Sequence, residues 1–469
     1  MFAAFLFPVV ARTQGPIADA VRPFVSVDAP LVALTHARVI DGTGAAARAD
    51  QTIIIDRGMI RAVGDSARTP VPAGAKVIDA TGKSVMPGMV MVHEHMFYPS
   101  GAGTVYNEHA FTFPRMYLAG GVTSARTAGN VAGYADLELK GQIDSGHVVG
   151  PWLDATAPYL DGPGQAFYQV HVLRGPVDAT QMVTHWADRG ATSFKAYTHI
   201  RRNELAAVLK EAHRRKLKVT GHLCSITFRE AAAMGIDNLE HGIMVASDFV
   251  PNKKPNECPT ADGGVLGTLE KLDVDGEAVR SLIKYLVSKG VALTSTLPVF
   301  ETFTPGRPGA SQRVLDALLP QVRDIYTLRW TRIQAQQASP FSSALPKEMQ
   351  FELAFFRAGG LLLAGTDPTG YGGVVAGYAN QRQLELLVEA GLTPLEAIKV
   401  STMNGATYLG RAGLVGSIAA GKQADLLLVN GDPSTRISDI EKIEIVFKGG
   451  IGYDSVKLFQ SVKGHVGLH

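Results

Sequence analysis

The sequence has only two cysteines, Cys224 and Cys258, among its 469 residues. Two cysteines are too few for a disulfide framework or for a metal site built from thiolates. They could form a single disulfide with each other, and the sequence leaves that question open. A fold stapled by several disulfides is therefore excluded.

An excess of charge of either sign is also absent, because 45 Lys and Arg and 43 Asp and Glu leave a formal charge of +2. The sequence shows no stripe rich in Lys and Arg, so we expect no nucleic-acid partner. Hydrophobic residues make up 46% of the chain and charged residues 19%. This composition can form a large core, and the length suits a large barrel with an appended domain.

Long hydrophobic runs are missing except at the start, "MFAAFLFPVV". A transmembrane helix needs about 20 apolar residues, so we expect no transmembrane segment. The short run is typical of the h-region of a signal peptide, although the basic n-region is absent. We therefore expect residues 1–30 to be either an N-terminal arm or a residual signal segment. A periplasmic or secreted location and a cytoplasmic one both stay open.

Both ends of the chain are rich in β-type patterns. Residues 31–87 contain short segments rich in β-branched residues, and Asp-Gly, Arg-Gly and Thr-Gly pairs separate these segments. The same texture returns after residue 414, for example in "GKQADLLLVNGDP". We therefore predict a small β-sandwich domain built from residues 31–87 plus 414–469.

The middle of the chain, residues 88–413, alternates short apolar strands with amphipathic helical stretches. This alternation is typical of parallel βα units, and eight of them predict an α/β fold with a (β/α)8 TIM barrel. Such barrels carry catalytic residues at the carboxyl ends of their strands. Two longer connections, 248–274 and 301–345, are predicted loops on that face. The eight candidate strands are "GMVMVH" at 88, "GVTSAR" at 121, "VVGPWLDAT" at 148, "TSFKAY" at 192, "LKVTGH" at 217, "NLEHG" at 238, "VALTST" at 291 and "LLLAGTD" at 361.

His93 and His95 end the first of these strands. Residues i and i+2 of a strand point to the same side, so the two imidazoles converge and form a natural pair of metal ligands. Alone, the motif is better explained by two histidines that are hydrogen-bonded in a loop. Other strand ends add four more candidates, Lys195, His222, His241 and Asp367. Each of them alone has a structural explanation, but together with the histidine pair they are predicted to point into one cavity.

The order of these residues, with "VIDATGKSVMPGMVMVHEH" and "GLTPLEAIKVSTMNGATYLG", resembles the amidohydrolase superfamily. The resemblance is strongest to the imidazolonepropionase-like group, which includes metal-dependent dipeptidases, Xaa-Pro carboxypeptidases and ochratoxin-type amidases. It implies two divalent metal ions bridged by a carboxylated Lys195, and imidazole and oxygen ligands favour zinc. By the same resemblance the first ion would be bound by His93, His95 and Asp367, and the second by His222 and His241.

The implied activity is hydrolysis of an amide bond in a small molecule, either a dipeptide or an N-acyl amino acid. A metal-bridging hydroxide would attack the carbonyl, with Asp367 as general base and then general acid. Hydrolysis of a cyclic amide, a lactone or a phosphotriester on the same site stays open. Lys195 argues against a mononuclear deaminase, and the complete ligand set argues against a non-catalytic scaffold. A homo-oligomer is compatible with the resemblance.

Substrate contacts are less defined by the sequence. Tyr197 follows Lys195 by two residues, so it also faces the barrel mouth and either contacts the substrate or packs on the rim. His199, in the loop beyond it, either contacts the substrate or is solvated. We expect His109 to lie on the surface of the first helix, and Arg126 has no role that the sequence assigns.

Overall fold

A computed structural model describes residues 17–100, 105–164 and 169–467. Of the N-terminal arm or signal segment predicted for residues 1–30, residues 1–16 lie outside the described residues. Within the described residues, no helix combines the length and the apolar character that crossing a membrane requires.

The chain alternates strands and helices through most of its length. The strands are β1 (Val25–Val27), β2 (Leu31–Val39), β3 (Arg48–Asp56), β4 (Met59–Asp65), β5 (Lys76–Asp79), β6 (Ser84–Pro87), β7 (Met89–Glu94), β8 (Phe97–Ser100), β9 (Val105–Glu108), β10 (Val122–Thr127), β11 (Trp152–Asp154), β12 (Ser193–Ala196), β13 (Lys218–Gly221), β14 (Asn238–Glu240), β15 (Ala292–Ser295), β16 (Leu362–Ala364), β17 (Leu426–Val429), β18 (Ile443–Lys448) and β19 (Ile451–Asp454). The helices are α1 (Phe113–Ala119), α2 (Ala135–Asp144), α3 (Pro176–Asp188), α4 (Arg202–Arg214), α5 (Phe228–Met234), α6 (Gly264–Leu269), α7 (Glu277–Ser288), α8 (Leu297–Thr302), α9 (Gln312–Ala317), α10 (Pro320–Gln334), α11 (Phe341–Arg357), α12 (Tyr378–Glu389), α13 (Pro394–Lys399), α14 (Gly405–Tyr408) and α15 (Ser455–Gln460).

Strands from the two ends of the chain share one nine-stranded sheet, in the order β1-β19-β18-β17-β6-β2-β3-β4, with β5 paired to β2. The central contact is the antiparallel pair β17 and β6, in which Leu427 lies opposite Met86. One face of this sheet has its own apolar core, which includes Leu34, Ile53 and Leu426. The two ends therefore fold together, while the two-layer sandwich stays a prediction.

The eight strands predicted between residues 88 and 367 lie in two parallel sheets, β11-β10-β7 and β12-β13-β14-β15-β16. Backbone hydrogen bonds also link residues beside the outer strands of these sheets. Ala157 donates to the carbonyl of Ser193 at 3.0 Å, and Thr366 donates to the carbonyl of His93 at 3.0 Å. The carboxyl ends of all eight strands therefore face the same side of the molecule.

The helices between these strands bury one apolar face each. In α7 the buried residues are Val279, Leu282, Ile283 and Leu286, a spacing of three and four residues that places them on one stripe. A capping box starts α5, where the Thr227 hydroxyl accepts a hydrogen bond from the backbone N–H of Glu230. These local signals explain why the helical stretches were readable from the sequence.

The two long connections are more ordered than the predicted loops. The segment 248–274 contains α6, and the segment 301–345 contains α9, α10 and the start of α11. The prediction of a loop is therefore wrong for most of 301–345. Its cause is packing, since α10 buries Val322 and Tyr326, which lie four residues apart on one side of the helix.

Candidate metal centre

The structure brings the six predicted ligands to the carboxyl ends of five parallel strands. His93 lies in β7 and Lys195 in β12, whereas the other four residues follow their strands directly or closely. All six line one small cavity of about 30 Å³ together with aromatic side chains and a threonine. The lining residues are His93, His95, Phe97, Tyr106, Tyr159, Lys195, Tyr197, His222, His241, Asp367 and Thr369.

Asp367 lies at the centre of the histidines. Its Oδ1 is 3.2 Å from Nε2 of His95 and 3.6 Å from Nε2 of His93, and its Oδ2 is 3.8 Å from Nε2 of His241. The ring centroids of His222 and His241 are 4.5 Å apart. Ligand atoms of His93, His241 and Asp367 lie within 4.8 Å of one another, close enough to share one cation.

Three of the imidazoles are held in place by hydrogen bonds at Nδ1. Nδ1 of His93 donates to Oε2 of Glu240 at 2.6 Å, and Nδ1 of His95 donates to the carbonyl of Gly129 at 3.1 Å. Nδ1 of His241 hydrogen-bonds to the hydroxyl of Thr296 at 2.7 Å. Such contacts fix the ring and leave Nε2 as the free donor atom of a metal ligand. The imidazole and carboxylate donors therefore fit a divalent metal such as zinc.

Two residues at the strand ends adopt a backbone conformation that is unfavourable for side chains with a Cβ. The φ angles are +67° at His241 and +53° at Asp367. Left-handed conformations of this kind cost on the order of 1 kcal/mol and cluster at functional sites. Here they occur at two of the residues whose side chains converge on the cavity.

Lys195 is buried within β12. Its Nζ lies 3.5 Å from Oε1 of Glu240. Burial lowers the pKa of the ammonium group to about 8, because desolvation penalises its charged form. The neutral fraction of this amine near neutral pH is therefore larger than that of an exposed lysine.

Glu240 is a residue of the candidate site that sequence analysis missed. It is fully buried directly before His241, and besides His93 and Lys195 it contacts Nη1 of Arg126 at 3.4 Å. Arg126 is itself buried and donates to the carbonyl of Val92 at 3.1 Å, so it binds inside the fold and not to a substrate. The signal was a carboxylate inside a short buried strand, which is rare without a partner.

The predicted substrate contacts separate in the structure. Tyr197 lines the cavity, with its ring centroid 4.7 Å from that of His222. His199 does not line it, and its backbone N–H donates to Oδ1 of Asp161 at 2.7 Å. Tyr159, at the start of a glycine-rich turn, does line the cavity, and its hydroxyl lies 3.4 Å from Nε2 of His95.

The expectation that His109 lies on the surface of a helix is wrong. It precedes α1 and is only 3% exposed. Its Nδ1 hydrogen-bonds to the hydroxyl of Thr112 at 3.2 Å, and its ring stacks on that of Phe113. The chain packs this imidazole against the aromatic residues that open the helix, which the local sequence pattern did not indicate.

Two larger cavities flank the central one, and each shares a residue with it. One cavity of about 470 Å³ includes Tyr106, and another of about 440 Å³ includes His222. A disulfide between Cys224 and Cys258 lies in the wall of the second cavity. The open question about these two cysteines is thereby answered. The site therefore has space for bulky groups next to the ligand cluster.

Comparisons with known proteins find similarity to amidohydrolases in one part of the sequence and in the fold. Residues 357–451 match the model of the amidohydrolase family. A dihydroorotase from Trichlorobacter lovleyi is 36% identical over 72 residues, which are 15% of this chain and 16% of the relative. An imidazolonepropionase from Geobacillus kaustophilus is 43% identical over 63 residues, 13% of this chain and 15% of the relative. The chain thus matches about one sixth of the length of these curated relatives.

Solved structures align over nearly the whole chain. A putative prolidase from Bifidobacterium longum has a TM-score of 0.65 and 24% identity, covering 94% of this chain and 100% of that one. A Xaa-Pro dipeptidase with bound methionine has a TM-score of 0.67 and 20% identity, covering 90% and 100%. The ochratoxinase of A. niger has a TM-score of 0.64 and 19% identity, covering 91% and 96%. These neighbours imply a TIM-barrel fold of mixed α and β content.

Proposed function

From the premise that this chain carries an amidohydrolase family domain, we propose that it is a metal-dependent hydrolase that cleaves an amide bond. The observation that carries the proposal is the ring of Nε2 atoms of His93, His95 and His241 around the carboxylate of Asp367. Prolidase, Xaa-Pro dipeptidase and ochratoxinase among the structural neighbours support this reaction class. The proposed substrate is a dipeptide or an N-acyl amino acid.

The proposed cofactor is a pair of divalent ions, with zinc as the ion that the donor set favours. Bound ions would supply Lewis acidity, which makes water more acidic and polarises a carbonyl group. We propose that a carboxylated Lys195 bridges the pair, a role that its buried and partly neutral amine supports. The first ion would be held by His93, His95 and Asp367, and the second by His222 and His241.

Asp367 is the proposed general base and acid. Burial opposes its ionisation, but the neighbouring imidazoles of His93, His95 and His241 together outweigh that effect and hold the pKa of the carboxyl well below its ordinary value. Asp367 is therefore a carboxylate at neutral pH and can accept a proton from the attacking water. It would then return this proton to the nitrogen of the leaving amine. Tyr197 lines the same cavity, where its hydroxyl would donate to the substrate carbonyl or carboxylate.

A linear amide suits the site better than a cyclic one. The central cavity of about 30 Å³ holds little more than the reacting group, and each of the two larger cavities shares a lining residue with it. A linear amide carries a substituent on each side of the scissile bond, and each substituent would have one of the larger cavities to enter. A cyclic amide, a lactone or a phosphotriester could use the same ligands and is the alternative to be tested.

The wider organisation is proposed on the same basis. Residues 88–413 would form a closed (β/α)8 barrel, and residues 31–87 plus 414–469 a β-sandwich beside it. His199 would contact a substrate only if the loop that carries it moved, since its ring lies beside Gly164 and away from the cavity lining. The proposed chemistry depends neither on homo-oligomerisation nor on where the protein is located.

Metal content is the first test. Elemental analysis of protein purified without chelators should give close to two divalent ions per chain, and Lys195→Ala should lower that number. Lys284→Ala, a change at an exposed lysine in α7, is the matched control and should leave it unchanged. One ion or none in the wild type, unchanged in Lys195→Ala, would overturn the bridged centre.

Substrate class is the second test. The metal-loaded protein should hydrolyse N-acyl amino acids or Xaa-Pro dipeptides. The assay measures the free amino acid that is released. A hydantoin, an aryl lactone and a phosphotriester in the same assay test the alternative. Turnover of only these three compounds would contradict the linear amide as substrate and support the alternative bond type. Whichever substrate is turned over, Asp367→Asn should lower the rate by about 10²–10⁴-fold.

A further inference from the structure

One of the flanking cavities combines two guanidinium groups with aromatic rings. It measures about 470 Å³ and is lined by Tyr106, Phe303, Arg329, Arg332, Ile333, Gly370 and Tyr371. Its described lining residues include no Asp or Glu. The cavity therefore offers positive charge and apolar ring surface together, which is the chemistry that recognises an anion attached to a hydrophobic group.

The cavity with this lining, which we call the arginine cavity, adjoins the metal centre. Tyr106 lines both cavities, and Gly370 of the arginine cavity directly follows Thr369 of the central one. Thr369 also donates its hydroxyl to Oδ1 of Asp367 at 2.9 Å. A group that enters the arginine cavity would thus lie next to the proposed general base.

The arginines are presented by one face of α10. Arg329 and Arg332 are three residues apart, and Ile333 follows Arg329 by four, so all three project to the same side of the helix. Nη1 of Arg329 donates to the carbonyl of Tyr371 at 3.2 Å, which joins the helix to the loop after β16. Arg332 is exposed to solvent. One guanidinium is therefore anchored in the wall and the other can reach an entering ligand.

The ring surface is fixed from the opposite side. Phe303 and Tyr371 pack edge to face with their centroids 5.4 Å apart, and the hydroxyl of Tyr371 donates to the carbonyl of Thr302. At Gly370, where φ is +66°, an added Cβ would lie 3.0 Å from the Phe303 ring. The loop after β16 therefore packs closely on the helices that follow β15, which keeps the cavity in shape.

We propose that the arginine cavity binds the part of the substrate that carries both a carboxylate and a ring, as in an amide of an aromatic amino acid. The carboxylate pairs with Arg332, and the ring packs against the surface that Phe303 and Tyr371 form together. This inference names the substrate class of the proposed amide hydrolase and therefore rests on the proposed function. The apolar cavity beside His222 then holds the acyl group.

Binding of simple probes separates the cavity from the catalysis. Calorimetry on the metal-loaded protein should detect 3-phenylpropanoate, with at least tenfold weaker binding of the neutral 3-phenylpropanamide. Arg332→Gln should raise the dissociation constant of the acid about tenfold and leave that of the amide unchanged. Arg323→Gln, on the same helix but outside the lining, is the control and should change neither. Equal affinity of the acid for wild type and Arg332→Gln would overturn the assignment, as expected if the metals alone held the carboxylate.

Kinetics test the same assignment during turnover. For N-acetyl-L-phenylalanine, Arg332→Gln should raise KM about tenfold with little change in kcat, and Phe303→Ala should reduce the preference over N-acetylglycine. An equal loss on both substrates in Phe303→Ala would contradict the ring site. If N-acetyl-L-phenylalanine is hydrolysed and neither variant changes the kinetics, the role of the arginine cavity is overturned but the proposed function is not. Binding of 3-phenylpropanoate that depends on Arg332, without hydrolysis of any amide, would overturn the proposed function alone.

Discussion

Glu240 accepts a hydrogen bond from Nδ1 of His93 at 2.6 Å, although the two residues are 147 positions apart in the chain. The contact crosses from β14 to the end of β7, and both side chains are buried. Glu240 also lies 3.5 Å from Nζ of Lys195. One buried carboxylate thus orients one proposed metal ligand and neutralises charge beside another.

We predict that Glu240→Gln weakens metal binding by about 10–100-fold, the range typical of contacts that support a ligand from behind. The amide keeps the shape of the side chain but removes the negative charge that holds the Nδ1 proton of His93. Competition with a chelator of known affinity would measure the change. Glu352→Gln, at a buried carboxyl on α11, is the matched control and should leave metal affinity unchanged. Identical affinities for Glu240→Gln and the wild type would show that Glu240 is only structural.

A second buried pair makes stability depend on pH. Glu348 and Glu352 on α11 are both buried, and burial raises the pKa of each carboxyl above its ordinary value. The folded protein therefore holds a proton that the unfolded chain has released above about pH 4.5. Since the folded state binds more protons, its free energy of unfolding falls as pH rises from about 4.5 through the raised pKa.

We predict that Glu352→Gln removes part of this fall. The amide mimics the protonated carboxyl, so the variant should match the wild type near pH 5 and be more stable by about 2 kcal/mol at pH 8. Urea unfolding at the two pH values measures this difference. Glu277→Gln, at an exposed glutamate in α7, should show no such change. A variant that is destabilised equally at both pH values would mean that the pair does not share a proton.

Periodicity and residue type predicted the ligand positions because strand ends are local features. Each of the six proposed ligands lies at or beside a short apolar strand, and the order of parallel strands brings such positions to one side. Glu240, the arginine cavity and the buried position of His109 depend on contacts between distant segments. A pattern within about ten residues contains no information about such contacts, so these features emerged only from the structure.

The disulfide joins the segment after β13 to the connection between β14 and α6. Cys224 lies two residues after His222, and Cys258 lies 34 residues further along. Closing a loop of this length restricts the unfolded chain and typically stabilises a protein by about 2–4 kcal/mol. We predict that Cys258→Ser lowers the melting temperature, as measured by calorimetry. The double variant Cys224→Ser/Cys258→Ser should match the single one. A wild type whose melting temperature equals that of Cys258→Ser would indicate that the bond is absent in solution.

Gly365 separates the last parallel strand from the proposed catalytic aspartate. An added Cβ at this position would lie 2.3 Å from Cβ of His93 and 2.8 Å from its Cα, closer than packed atoms approach. We predict that Gly365→Ala displaces the end of β7, destabilises the protein by about 1–3 kcal/mol and lowers metal content. Gly141→Ala is the control, because its added Cβ meets no atom within 4 Å and alanine favours the helix α2 in which it lies. Metal content and melting temperature measured on both variants decide the matter. If Gly365→Ala retained both values, the contact with His93 would be softer than the packing indicates, and β7 would not depend on a glycine at this position.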